Sequence, residues 1–405
     1  MTQSEPVPMG LSAEGRATSA ARKALSAFFL SGFFLSFLGA ILPAWGYHLH
    51  THYDIIGHYF LGMILGLLVG ARASKELLPR KGLRFTLVLA CAIGSGALLF
   101  LALFSPPAAP WWRVFGIFLL GSGAGLLHSA VFHAITPVYH HDPAATINLA
   151  GILFGFGCVV MTLFVAATFD AYSVASILFL AAMIPFFFTS IFSRGPLPRN
   201  MAEDHLPVRQ VLADFRNPGA ILMALLLFFQ FGNEWAIAGW LPLFLIQRLG
   251  VSPAASLMLL ALYWMALLIG RLVAQAILPR VRHGRLLVAS VVSAMFGCLI
   301  LSLTDNSFGA GSGILFVGGG FAVVYPLAVE MIGDRFPYYH PGIFNGVFSI
   351  AVTGGLLAPA TLGYFAELWD IRVVMWLPLA GTILVLVLVL LIMLETKLSG
   401  KPSTF

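Results

Sequence analysis

The chain repeats itself at an offset of 200 positions. Gly70 is followed, eight residues on, by Leu78-Pro79-Arg80, and Gly270, eight residues on, by Leu278-Pro279-Arg280. The same offset pairs Gly32 with Gly232, Gly39 with Gly239, Pro137 with Pro337, Tyr139 with Tyr339 and His140 with His340. Turn residues and charges that keep one offset across 405 residues mean two similar halves. Parallel halves in an apolar chain are the plan of many secondary transporters.

Composition identifies the solvent. The chain is 60% hydrophobic and 9% charged, with a mean hydropathy of +0.95, whereas a soluble domain carries about 25% charged residues. A lipid bilayer is therefore the expected partner. The formal net charge of +6 does not point to nucleic acid, because the basic residues sit in loops between apolar runs. Cys91, Cys158 and Cys298 all fall inside such runs, which fits small core residues and neither a disulfide framework nor a zinc site. Residues 1–23 are polar and small, without the apolar stretch of a cleaved signal peptide.

At about 20 mostly apolar residues per span, about twelve spans are expected. The first six are Ala24–Tyr47, Asp54–Ala73, Leu83–Phe104, Trp111–Val138, Pro143–Phe169 and Ala171–Phe192. The second six are Pro218–Ile246, Ser252–Leu278, Leu286–Leu303, Phe308–Ile332, Pro341–Ala366 and Ile371–Leu394. The expected fold is an all-α membrane protein, with two pseudo-symmetric six-helix bundles over residues 24–192 and 218–394. Residues 1–23 and 395–405 are tails, and residues 193–217 are a central linker. Of 22 Lys and Arg, only Arg113, Arg248 and Arg372 fall on one side. The positive-inside rule then places the linker and both tails in the cytoplasm, and the expected location is the inner membrane. Gly62, Gly66 and Gly70 form a stripe for close helix approach, as do Gly151 and Gly155, while Gly354, Gly355 and Gly363 punctuate the eleventh span. Trp111, Trp112 and Trp376 read as interfacial anchors.

These features resemble the major facilitator superfamily over essentially the whole chain. The residues that carry the resemblance are the twelve spans, the long linker and the paired glycine–basic loops after spans two and eight. In that superfamily the first of these loops reads roughly Gly-x-x-x-Asp-Arg-x-Gly-Arg-Arg. Here Gly70, Arg72, Arg80, Gly82 and Arg84 remain, Ser74 stands at the aspartate position, and Glu76 is the nearby carboxylate. The resemblance implies gating by this loop and by its repeat at Gly270, Arg271 and Arg280. Phe231-Gly-Asn-Glu-Trp-Ala-Ile-Ala-Gly-Trp-Leu-Pro242, Tyr263-Trp264 and Gly318-Gly-Gly-Phe-Ala-Val-Val-Tyr-Pro326 are similar to the fucose–glucose–galactose symporter branch. The fucose permease of that branch has a carboxylate in its first helix, and no carboxylate occurs between Ala24 and Tyr47.

Glu234 is the sharpest candidate for function. It lies about 24 Å along a helix starting at Pro218, near mid-span, where an unpaired charge is costly. Gln230 shares its face and Asn233 adjoins it, forming a polar stripe on an apolar helix. Burial favours a neutral carboxyl and contact with water or a cation favours the ionised form, so a cavity alternating between sides lets Glu234 carry a proton. Gln230 and Asn233 suit solute hydroxyls. Trp235 and Trp240 flank the stripe and suit packing first, with stacking on a sugar ring as the substrate-binding alternative. His128 and Tyr325 are further polar candidates at similar depth. Asn148 and Asn345, at repeat-related positions after Pro143 and Pro341, suit matched gates, and Arg271 with Glu330 a gating ion pair. His48, His50 and His52 are the weak candidates for a metal site. Phosphate loops, nucleophilic triads and zinc-hydrolase motifs are absent, so neither an enzyme nor a cofactor is expected.

The expectation is a monomeric secondary transporter that moves a small polar solute, sugar-like or a related metabolite, by alternating access with protons. Sodium is the alternative coupling ion. A proton-coupled drug or metabolite exporter is the alternative function. Gly155-Phe156-Gly157 lacks the proline usual in such exporters and so favours import. A non-transporting receptor or metal-binding membrane protein is the third reading.

Overall fold

A computed structural model describes residues 23–49, 52–139, 143–194, 197, 218–277, 280–335 and 341–398. Among these the only regular structure is helical. In chain order the helices are α1 (Ala27–Leu35), α2 (Phe37–Ile41), α3 (Tyr53–Leu103), α4 (Pro110–Tyr139), α5 (Pro143–Thr168) and α6 (Val174–Ser193). They continue as α7 (Pro218–Leu249), α8 (Pro253–Ile277), α9 (His283–Leu303), α10 (Ser307–Arg335), α11 (Pro341–Trp369) and α12 (Val373–Leu398). Nine helices among the described residues are long and apolar enough to cross a membrane. α3 contains two of the expected spans, and α11 and the broken first span complete the set of twelve. The expected linker and tails lie almost wholly outside the described residues.

Three spans differ in form from the expectation. The first is not one helix from Ala24 to Tyr47. It breaks at Ser36, whose hydroxyl donates to the Gly32 carbonyl at 2.8 Å, a back-bond that bends helices. It ends at Ile41, ahead of Pro43 and the left-handed Gly46 at φ 78°. The second and third spans run together through α3, which turns at Gly82, φ 84° and ψ 166°. That conformation suits glycine. At the repeat-related position Arg282 has extended backbone and is the N-cap of a separate α9.

The repeat is visible as matched helix contacts. A Cβ on Gly70 would collide with the Ser122 carbonyl, and one on Gly270 would come 2.6 Å from the Ala322 Cβ. Gly66 meets Phe118 in the first half, and in the second Gly318 meets Ala266. Gly32 packs on the Phe154 backbone, and Gly232 on that of Gly354. Each pair of contacts is displaced by the same 200 positions, so the offset relates tertiary packing and not just sequence. These glycines let helix backbones approach closely where lipid supplies no hydrophobic drive between helices.

The two halves meet through α3 with α11, α5 with α8, and α2 with α7. At the His48 end the contact is tight. A Cβ on Gly363 would lie 2.6 Å from the Gly57 amide, and Gly39 abuts the Ala238 carbonyl. The Tyr53 amide donates to Glu367 Oε2 at 2.8 Å, and Gln247 Nε2 to the His48 carbonyl at 2.9 Å. Arg113, read from sequence as a residue at a loop or helix end, is buried. Its guanidinium donates to Tyr59 at 2.8 Å, Tyr47 at 3.2 Å and the Ala108 carbonyl at 2.8 Å.

Gly66→Ala is expected to lower unfolding stability in detergent by about 1–3 kcal/mol, because the new methyl faces backbone that cannot swing aside. Gly96, where an added Cβ would have nothing within 4 Å, is the control. Gly96→Ala is expected to leave the melting temperature unchanged or slightly raised.

Candidate functional site

α7 places three buried polar side chains, Gln230, Asn233 and Glu234, within little more than one turn. They do not share a destination, since successive residues on a helix differ by about 100° in direction. Glu234 faces a cavity of about 140 Å³ between the two halves. Its other polar lining comes from His128 of α4, Arg271 of α8 and Tyr325 of α10. The remaining wall is apolar and largely aromatic, including Phe28, Phe132, Phe154, Phe231, Trp235 and Trp264.

Glu234 is held by three partners. Gln230 Nε2 donates to its Oε1 at 2.9 Å. Tyr263 of α8 donates its hydroxyl to the Glu234 backbone carbonyl at 3.1 Å. Arg271 Nη2 lies 3.9 Å from Oε2, close enough for strong attraction in a poorly screened interior and too long for a hydrogen bond. Arg271 Nη1 instead donates to the Gly151 carbonyl of α5 at 3.1 Å. The guanidinium therefore links the two halves across the cavity. A Cβ at Gly151 would come 3.2 Å from Nη1, so glycine leaves the room this link needs. Arg271 sits six residues inside the end of α8 and pairs with Glu234. The pairing expected with Glu330 at a gate is not the one found, and His283 Nδ1 lies 3.6 Å from Glu330 Oε2.

The other expected solute contacts divide. Trp235, His128 and Tyr325 line the cavity. Trp235 is edge-on to Phe154 and Trp264 at 6.0 and 5.8 Å. His128 Nδ1 is 3.1 Å from the Ser31 hydroxyl, and Tyr325 packs edge-on to Phe231 at 5.3 Å. Gln230, Asn233 and Trp240 are not in the lining. Gln230 acts on Glu234, and Asn233 Nδ2 points away to Thr382 of α12 at 3.4 Å. Trp240 is fully buried, donates to the Pro359 carbonyl at 2.9 Å and stacks on Phe60, so its role in this structure is packing. Trp264 lines the cavity beside Arg271, although in the sequence it stands out only for a resemblance. The signal was available: Trp264 and Arg271 are seven residues apart and share a helix face.

Among the expected gating residues, Gly70 and Gly270 are helix-packing positions. Arg72 forms an exposed i,i+4 ion pair with Glu76 at 3.1 Å. Arg80 and Arg280 are exposed, and Ser74 is buried. The side chains of Asn148 and Asn345 lie outside the described residues, as does His50. Among the described residues, His52 falls in a group of three whose donor atoms lie within 4.8 Å of one another, with Asp54 and Glu367 of α11, and His48 is not part of it.

Comparison with known proteins gives the family and the fold. A sequence model of the Major Facilitator Superfamily matches residues 24–355. An uncharacterised MFS-type transporter of Yersinia pestis is 22% identical over 349 residues, covering 86% of this chain and 89% of that protein. A D-xylose–proton symporter superposes with a TM-score of 0.73 at 12% identity, covering 92% of this chain and 97% of the other. A nucleoside transporter gives 0.71 at 11% identity, with 92% and 99% covered. The E. coli fucose:proton symporter gives 0.63 at 14%, with 93% and 99% covered. At these identities the structural likeness is one of fold.

Breaking the buried pair from one side is expected to be costly. Arg271→Met should destabilise the chain by about 3–5 kcal/mol, by leaving a buried carboxylate without its cation. Adding Glu234→Leu should recover much of that loss. A double-mutant cycle read by unfolding in detergent checks this, and additive single effects would contradict the pairing.

Proposed function

The chain belongs to the Major Facilitator Superfamily and is a membrane transporter of small solutes, not an enzyme, and we propose that it is a proton-coupled symporter with Glu234 as its proton site. The observation that carries this reading is a carboxyl group on the wall of a cavity between the halves, facing a cation. A carboxyl placed there can change charge with little movement. Paired with Arg271 it is stable as the anion. Deprived of that cation, or enclosed away from water, it is stable as the neutral acid. Alternating access exposes the one group first to one side of the membrane and then to the other. Proton and solute cross together when the loaded carrier reorients more readily than the half-loaded one.

Rocking of residues 24–192 against 218–394 around the cavity is the proposed motion. Its contacts at the His48 end would be those of Tyr53 with Glu367, Gly57 with Gly363, and Gly39 with Ala238. On the cavity itself the Arg271 link to Gly151 would have to lengthen. The basic loops favour an orientation with the linker and both termini in the cytoplasm of an inner-membrane protein. His128, Trp235 and Tyr325 are the proposed solute contacts, with Gln230 positioning the Glu234 carboxyl.

The test begins with a thermal-shift screen of sugars, carboxylates and nucleosides, since a ligand raises apparent stability by mass action. In proteoliposomes the ligand so found should accumulate against its gradient when the outside is acidic. Glu234→Gln should abolish accumulation and retain exchange of solute across the membrane. A variant that still concentrates the solute would show that coupling does not run through Glu234.

A further inference from the structure

We infer that the cavity takes a small organic monocarboxylate with an apolar or aromatic body, its carboxylate held by Arg271 when Glu234 takes up a proton. The inference rests on the proposed transport role of this cavity and names the solute class. Its starting point is a pair of donors without acceptors. Arg271 Nε and Trp264 Nε1 are buried and have no hydrogen-bond partner among the described residues. Both residues line the cavity, and Trp264 is only 4% exposed. Guanidinium and indole N–H groups donate and cannot accept, so the chemistry they lack is an acceptor. Helix side chains lean toward the helix N-terminus, which carries the long Arg271 side chain toward the Trp264 turn. The Glu234 carboxylate at 3.9 Å is within attraction but makes no hydrogen bond to the guanidinium. A solute carboxylate can present two oxygens to that planar fork.

The rest of the wall selects the body of the solute. Beyond Arg271 and Glu234, its polar side chains are His128 and Tyr325, with the indole N–H groups of the two tryptophans. A sugar brings hydroxyls on nearly every carbon, and most would be buried here against rings and aliphatic groups without partners. An aromatic or branched aliphatic body loses nothing of that kind. Size agrees, because an apolar cavity of about 150 Å³ accepts benzene and this one measures about 140 Å³. Among the described residues Arg271 is the one cation in the lining, which fits a monoanion better than a phosphate ester or dicarboxylate.

Charge balance then joins solute to proton. With Glu234 ionised, Arg271 has its counter-ion and a second anion would be repelled. When Glu234 binds a proton, Arg271 is left in excess and a carboxylate restores neutrality in the same space. The titratable or charged groups around Glu234 are Arg271 and Tyr263 of α8, His128 of α4, Tyr325 of α10 and Cys158 of α5, with Cys298 of α9 beside Tyr263. None of these supplies a second cation beside Arg271 once His128 is neutral. The transported unit is thus one anion with one proton, and its passage moves no net charge.

Tryptophan fluorescence of the full chain in detergent reads the site, with benzoate and phenylacetate as probes and benzamide and D-xylose as neutral controls. The carboxylates should give a saturable change at millimolar concentration or below, with about one proton taken up from weak buffer per anion bound above the titration of Glu234. The neutral controls should give none. Arg271→Gln should weaken benzoate binding at least about tenfold, and Arg271→Lys should keep part of it. Because Arg271→Gln leaves Glu234 unpaired, Arg271→Gln/Glu234→Gln serves as the folded control and should also fail to bind. Glu234→Gln alone should bind benzoate without taking up a proton.

Three results overturn the assignment: no response to either carboxylate, benzamide or xylose binding as well as benzoate, or benzoate binding that survives loss of Arg271. Concentrative, Glu234-dependent uptake of a neutral solute would overturn the anion class and leave the transport reading standing. Arg271-dependent benzoate binding without proton uptake would uphold the anion site and overturn the coupling.

Discussion

An ionised group in the middle of an apolar bundle must have a counter-charge, a cavity or both, and Glu234 has both. The cost of leaving a charge unpaired in such a medium is several kcal/mol, larger than most single packing interactions. That cost organises its surroundings. Arg271 is drawn toward the carboxylate from α8, Gln230 donates from the preceding turn, and Tyr263 fixes the backbone behind it. Gly151 is part of the same arrangement, because its missing side chain gives the guanidinium access to a carbonyl in the other half. One ion pair thereby ties the charge state of α7 to the contact between α5 and α8.

The frame around that pair is built twice. The Gly70–Ser122 and Gly270–Ala322 contacts, and the Gly66–Phe118 and Ala266–Gly318 contacts, are the same helix crossing made by two halves of the chain. The symmetry fails at the site. Position 234 pairs by offset with Phe34, position 230 with Leu30 and position 271 with Ala71. The first half thus contributes mainly wall and a carbonyl acceptor, and the second contributes the charges. A carrier of this form needs equivalent packing for the halves to rock against each other, while the chemistry can sit on one of them.

Much of this was legible in the sequence, and the parts that were not share a cause. The spans follow from apolar length, the repeat from glycine and proline spacing, and the shared face of Gln230 and Glu234 from the helical period. The pairing of Arg271 with Glu234 was not legible, because it depends on how α8 crosses α7 and not on any spacing within one helix. The same holds for Asn233, whose direction toward Thr382 is set by α12, and for Trp240, which the Pro359 carbonyl claims from α11. The break at Ser36 depends on which of several nearby acceptors its hydroxyl chooses. Trp264 shares a helix face with Arg271, but nothing in the spacing of α8 shows that this face lines the cavity.

The central claim is that Glu234 changes protonation while the chain works, and infrared difference spectroscopy of the protein in lipid observes this directly. Acidification should produce the carbonyl band of a protonated carboxylic acid in an apolar setting, with loss of a carboxylate band. Both changes should be missing from Glu234→Gln and displaced in Arg271→Gln. A spectrum in which Glu234→Gln leaves every carboxyl band in place would show that Glu234 keeps one protonation state throughout, and would contradict the account.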